Sequence, residues 1–236
     1  MSTCGMIKKN RTPGRRDISL SRETIIFTAI EILDELGETG LTFLALSKRL
    51  ATGRGAIYWH VDDKRDLMLA ACDAVIARSM ERRPGLGEPK QAIRDLALAL
   101  FDTIDAHPWA GSVLARSPGH APVLRVLEFL GQRVQAMGVA KEMQWAAVSA
   151  LLSYSLGVGQ QNAANAQFAR QHSFDRTQFL TEAANEWVRL DPQAYPFARS
   201  MAEHLPTHDD RADFLAGVDF ILEGIDRIAV DGRNPT

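Results

Sequence analysis

Apolar residues recur every three to four positions along most of the chain, and no run alternates with a period of two. That pattern predicts helices and no strands. Ser21 is placed to cap a first helix over Arg22–Leu36, with Leu20 and Ile25 as a hydrophobic staple. Ile26, Ala29, Ile30, Leu33 and Leu36 then form one stripe, and Gly37 and Gly40 end it. Thr42 caps a second helix with the staple pair Leu41 and Leu46, and Leu46 and Leu50 share a face. A tight break at Ala51–Gly53 leads into a short third helix, Arg54–His60. Asp62 or Asp63 starts a fourth, Lys64–Glu81, with Leu67, Met68, Ala71, Val75 and Ile76 along one side.

The segment Arg82-Arg83-Pro84-Gly85-Leu86-Gly87 breaks the helical pattern and is the expected domain boundary. Beyond it, helices are expected near 89–106, 108–116, 121–137, 140–170, 175–189, 192–204 and 208–230. The division is a flexible arm at 1–18, a three-helix unit at 19–65, a connecting helix at 66–83 and a larger helical body at 84–236. The fold class is all-α.

Composition narrows this picture without changing it. Hydrophobic residues make up 46% of the 236, enough for a core. No apolar run reaches the ~18 residues that a membrane span needs, and the polar, basic N-terminus has no signal-like apolar region. Two cysteines, Cys4 and Cys72, build neither a disulfide framework nor a four-cysteine zinc site. A cytoplasmic protein without a resident metal or cofactor is the expectation.

The net charge of −2 hides an asymmetry: residues 1–65 carry +3 and the remainder −5. Lys8, Lys9, Arg11, Arg15, Arg16 and Arg22 face only Asp17 within the first 22 residues. A basic front on an acidic body suits a nucleic-acid-binding end on a partner domain.

Tyr58-Trp59-His60 cannot all face one core, because successive helical residues point about 100° apart. At least one ring is therefore expected to be exposed among Lys48, Arg49, Arg54, Lys64 and Arg65, where it suits phosphate, sugar and thymine-methyl contacts. Packing of Tyr58 and Trp59 into the three-helix core is the plainer alternative. Arg54 stands in the first turn of the third helix, from which a recognition helix reaches base edges. Its guanidinium suits guanine O6 and N7, or a phosphate. Gly53 and Gly55 beside it would let the backbone approach DNA closely.

Residues 21–80 resemble the DNA-binding domain of TetR-family transcriptional regulators, in the capped first helix, the Gly-Leu-Thr entry to the second, and Ala56-Ile-Tyr-Trp-His-Val61 followed by Lys64-Arg65. The likeness is greatest to the tetracycline-repressor branch. The later part resembles that branch in layout, with Tyr154-Ser-Leu-Gly157 and Gln160–Gln161 the most similar fragment. The resemblance implies a helix-turn-helix at 19–65 and a ligand-binding and dimerisation domain in the body. It assigns Thr42, Tyr58, Lys64 and His60 to phosphates, and Arg54, Gly55, Ala56 and Trp59 to the major groove. Phe43 and Leu44 depart from the polar or basic residues common there, and Ala56 replaces a commoner threonine.

The same layout implies a mostly apolar small-molecule pocket lined by Phe101, His107, Trp109, Phe129, Trp145 and Tyr154, although for any one of them plain core is the simpler reading. Leu151, Leu152 and Leu156, with Phe214, Leu215, Val218, Leu222 and Ile225, are apolar enough for an intersubunit bundle, with Gly157 and Gly159 permitting close approach or marking a kink. The expected partners are a double-stranded DNA operator, a mostly apolar small-molecule effector and a second copy of the chain, with no membrane. His204 and His208 flank Pro206, which argues against a shared helical face for metal. An all-helical enzyme is the competing class, but G-x-S-x-G, Walker, dinucleotide and H-E-x-x-H motifs are absent from the sequence. A constitutive DNA-binding dimer without an effector is the other alternative.

Overall fold

The computed structural model describes residues 20–81, 87–172 and 175–231. The arm expected at 1–18 and most of the boundary at 82–87 lie outside the described residues. Within them the protein is all-helical, with no strand.

Four helices form the N-terminal head: α1 (Arg22–Gly40), α2 (Phe43–Arg49), α3 (Arg54–Tyr58) and α4 (Lys64–Glu81). Ser21 caps α1 by accepting from the Thr24 amide at 3.1 Å, and Thr42 caps α2 by accepting from Ala45 at 3.0 Å. Asp63 accepts from the Asp66 amide at 2.8 Å and so starts α4. Regular α1 ends at Leu36, because Gly37 adopts φ +67° and the last residues to Gly40 form a separate turn. The stripe that α1 buries is rotated from the expected one. Ile25, Ala29, Ile32 and Leu33 are buried, whereas Ile26 and Ile30 are half-buried and Leu36 is exposed. The sequence stripe is wide, and α1 presses its Ile25–Ile32 side onto α2, α4 and α6 (Pro108–Arg116).

Between α2 and α3 the chain turns at Ala51, a non-glycine residue with φ +50°. The Thr52 amide closes the turn onto the Ser47 carbonyl at 3.0 Å. This left-handed conformation costs an alanine about 1–2 kcal/mol. The sharp break between the two helices is what it secures.

The body continues with α5 (Pro89–Ala106), α7 (Ala121–Ala136), α8 (Lys141–His172), α9 (Arg176–Arg189), α10 (Pro196–Met201), a 3₁₀ segment (Ala202–Thr207) and α11 (Asp210–Asp231). Proline opens α5, α6 and α10 at the first turn, where a missing amide hydrogen costs nothing. The helix expected at 192–204 does not form as one piece. Asp191 accepts from the amides of Gln193 and Ala194 at 2.7 and 3.1 Å, holding a turn until Pro196, and Pro206 keeps the next segment 3₁₀.

α5 and α11 run antiparallel, as shown by ion pairs from Lys90 to Asp226, Arg94 to Asp219 and Arg211 to Asp102. Phe101 and Phe214 stack between them at 4.7 Å. One contiguous cluster of buried apolar side chains extends from Ile25 in α1 to Ala229 in α11, so head and body share a core.

Four polar contacts reinforce that junction. Asp34 of α1 meets the Trp109 indole nitrogen at 2.7 Å and His107 Nδ1 at 2.8 Å. Glu38 pairs with Arg116 at 2.6 Å, and Asp73 of α4 pairs with Arg125 of α7 at 3.0 Å.

Candidate nucleic-acid interface and effector cavity

α3 is held to the head mainly through Ile57, which is fully buried. Burying one such side chain contributes about 1.5–3 kcal/mol, which is enough to seat a five-residue helix. Its outward side carries Arg54, exposed and without an ion pair among the described residues, and Trp59 stands just past its end with 90% of its surface open. Of the two dispositions open to the Tyr58–His60 rings, exposure wins at Trp59. Tyr58 is half exposed and stacks on Phe43 at 4.4 Å between ring centroids, so Phe43 is a platform for it. Against the resemblance, Phe43 reads only as a departure from a polar or basic residue; its stacking partner across the turn is what that reading misses. Leu44 is 49% exposed beside it.

The surrounding cations divide into two groups. Arg49 forms a bidentate pair with Glu35 at 2.8 and 2.7 Å, and this holds the Glu35 carboxyl below the usual carboxylate range. Arg22 grips Asp66 and donates to the His60 carbonyl, fixing the end of the α3 segment against α4. Lys64 donates to the Glu38 carbonyl at the end of α1, although an ammonium keeps two further donors. Arg54, Lys48 and Arg65 remain exposed and outward. The Thr42 hydroxyl spends its acceptor on the α2 cap and retains a hydrogen to donate. A Cβ placed at Gly53 or Gly55 would meet nothing within 4 Å, so packing inside the head does not demand glycine there. Ala56 and His60 are half-buried.

The six aromatic and imidazole residues expected around one pocket do not converge. Phe101 and Tyr154 meet through Phe214, which stacks on both, and the Tyr154 hydroxyl donates to the Phe214 carbonyl at 3.3 Å. Burial pushes the Tyr154 phenol above its ordinary range, with the Asp213 charge as a smaller cause. His107 and Trp109 belong to the head–body junction, on Asp34. Phe129 is half-buried under the Arg133 guanidinium, 4.2 Å from its ring centre. Trp145 is 69% exposed on α8 and lines neither of the two main cavities. Helical periodicity separates faces without saying which face meets solvent.

The larger cavity, about 1020 Å³, opens between the C-terminal turn of α5, the second half of α8, α9, the 3₁₀ segment and the start of α11. Phe101 is its sole residue from the expected set; Phe168, Phe179, Trp187, Phe197 and Leu205 supply most of its apolar wall. A second cavity, about 790 Å³, lies between α1, α4 and α5, with Ile26, Phe27, Ile30, Val75 and His107 in its lining. Among the described residues no group of three His, Cys, Asp or Glu is arranged to hold a metal ion. His208, weighed from the sequence as a metal ligand, faces Asp210 and Asp213, each at 2.9 Å. No helix among the described residues is long and apolar enough to cross a membrane.

The family model described as the tetracyclin repressor-like C-terminal domain matches residues 83–228. The chain belongs to the TetR family. This TetR-family chain is 27% identical over 213 residues to an HTH-type transcriptional regulator of Saccharopolyspora erythraea, covering 87% of this chain and 84% of that one. The tetracycline repressor of class C from Escherichia coli is 42% identical over 57 residues, 24% of this chain and 26% of the repressor. A solved TetR-type transcriptional regulator from Streptomyces coelicolor superposes with a TM-score of 0.82 at 46% identity, covering 89% of this chain and all of that one. ActR of Streptomyces coelicolor, solved with actinorhodin, shares the fold at a TM-score of 0.72 and 19% identity, covering 89% of this chain and 99% of that one. The protein is thus a TetR-family transcriptional regulator with a helix-turn-helix head.

Proposed function

We propose that the protein is a cytoplasmic, homodimeric repressor that releases its operator when a small molecule occupies the helical body. The observation that carries the DNA-binding half is the unpaired Arg54 beside the 90%-exposed Trp59, on a helix anchored by Ile57. With Tyr58 and Leu44 also about half exposed, Trp59 belongs to a group of open apolar side chains on the head, and such grouping marks interaction surfaces. Arg54, Gly55, Ala56 and Trp59 would face the major groove, while Thr42, Tyr58, His60 and Lys64 would position phosphates. Two such heads suit major-groove half-sites about 34–36 Å apart.

The effector reading is supported by the 1020 Å³ cavity, at the upper end of drug-sized pockets. ActR, with the same fold, has been solved with actinorhodin, and BioQ with its double-stranded DNA operator. The dimer reading shifts residues. Leu151, Leu156, Phe214, Val218, Leu222 and Ile225 are spent on the protomer's own core, and Gly159 lies against Ile104. The outward apolar residues of α8 and α11 instead include Met143, Trp145, Phe220, Ile228 and Val230, which suit a face between two copies.

Footprinting on the DNA upstream of the protein's own gene tests the reading. Protection of a near-palindromic site, lost on adding a small molecule that also raises the thermal midpoint, is the expected result. Protection that no compound relieves would leave a constitutive binder.

A further inference from the structure

The larger cavity carries charge that its own side chains do not neutralise. Its lining includes four carboxylates, Asp105, Asp209, Asp210 and Asp213, and two guanidinium groups, Arg176 and Arg211. Both arginines are already engaged. Arg176 holds Asp210 at 2.6 Å and the His208 carbonyl at 3.0 Å. Arg211 reaches to Asp102, outside the lining, at 3.1 Å.

Asp209 feels the charges of Arg176 and Arg211, whereas Asp105 and Asp213 have no arginine or lysine partner among the described residues. Asp105 accepts from the Asn162 side-chain amide at 3.0 Å. Asp209 takes the amides of Arg211 and Ala212, both at 3.0 Å, which cap α11 and hold its carboxyl below the usual range. Asp213 faces His208 Nδ1. The pairs Phe101–Phe214 and Asp102–Arg211 bring adjoining turns of α5 and α11 together, so Asp105 and Asp209–Asp213 flank one seam. Across the cavity the wall carries four aromatic side chains, Phe168, Phe179, Trp187 and Phe197, among aliphatic and amide groups. Ring faces carry negative quadrupole charge and favour a cation lying over them, whereas an anion would meet both the rings and the carboxylates unfavourably.

We propose that this cavity selects amphipathic aromatic cations, with the ring system against Phe168, Phe179, Trp187 and Phe197 and the positive centre toward the Asp105–Asp213 seam. The proposal rests on reading the cavity as the effector site and adds the charge class of the effector.

Tetraphenylphosphonium and tetraphenylborate test it, since they match in shape and differ in sign. Calorimetric titration of the full chain without DNA is expected to show the cation binding at least about tenfold more tightly than the anion. Asp105→Asn with Asp213→Asn is expected to lower cation affinity about tenfold while improving or sparing the anion's. Trp187→Ala is expected to weaken the cation as well. An unchanged thermal midpoint for the carboxylate variant shows that its fold is intact; were it to unfold, Asp105→Asn alone provides the same reading. Equal or tighter binding of the borate, no binding of either probe, or full cation affinity in the carboxylate variants overturns the proposal. Operator release is assayed separately. A cation that binds but leaves the operator occupied defeats the effector reading while the charge selectivity stands.

Discussion

The Asp34 carboxylate on α1 accepts a hydrogen bond from the Trp109 indole at 2.7 Å, joining the reading head to the first turn of α6. His107 approaches the same oxygen at 2.8 Å. Trp109→Phe keeps the buried ring and removes the donor. It is expected to cost about 1 kcal/mol in denaturant unfolding, since the bond is charge-assisted but its acceptor is partly exposed. If this contact transmits the effector signal, the variant binds operator normally and needs more effector for release. An unchanged release curve would make the contact purely structural.

Arg54→Ala and Lys64→Ala are expected to separate specificity from affinity. Losing a bidentate guanine contact costs about 1–3 kcal/mol on the cognate duplex and little on random DNA. Losing a phosphate contact weakens both duplexes and lowers the salt slope by about 1. Lys64→Ala also removes the bond to the Glu38 carbonyl, so its thermal midpoint is expected to fall slightly while that of Arg54→Ala does not. Equal losses on both duplexes for both variants would sink the assignment.

Trp59→Ala is a sharper test of the interface. With the side chain 90% exposed, its removal is expected to change stability by less than about 0.5 kcal/mol. Operator affinity is expected to fall steeply, as measured by fluorescence anisotropy. Loss of stability in its place would show the ring packing against something other than DNA.

Tyr154 lies across the bare backbone of Gly217: a Cβ there would sit 1.9 Å from its hydroxyl oxygen and 2.4 Å from the ring carbon bearing it. Gly217→Ala is therefore expected to push Tyr154 off Phe214 and destabilise the α8–α11 contact by about 1–3 kcal/mol in chemical unfolding. Adding Tyr154→Ala removes the clash, so the double variant is expected to be less unstable than the two single losses combined.

Cys72 is buried with its sulfur 3.8 Å from the Ala110 carbonyl, and burial pushes its thiol up to about 12. A raised pKa means that the folded state holds the proton more tightly than the unfolded one. Its contribution is full below the unfolded thiol's pKa near 8.5 and is lost as pH rises toward 12. In a Cys4→Ser background, Cys72 is expected to resist thiol reagents at neutral pH until the protein is unfolded. Rapid native labelling would contradict this.

Caps and prolines made many helices legible in the sequence: Ser21, Thr42 and the prolines that open α5 and α6 mark starts that the structure keeps. The turn at 191–195 was less readable, because Asp191 and Pro196 act together across a stretch whose apolar spacing still looks helical. On the third helix, the 100° step between successive residues already required one ring of Tyr58–His60 to be exposed, and the structure exposes Trp59. Trp145 was not, since α8 is apolar on more than one side and only its packing partners decide which side is outward. Asp34 was invisible for a related reason. Its partners lie more than seventy positions away, and nothing in a single sequence pairs them.

The shared core from Ile25 to Ala229 bears on how such regulators can be recombined. A chimera that grafts residues up to 81 onto another regulator's body would strand Asp34, Glu38 and Asp73 without His107, Trp109, Arg116 and Arg125. The unit that can be exchanged intact is therefore larger than the stretch that reads DNA. It includes the edge of the body on which the head stands.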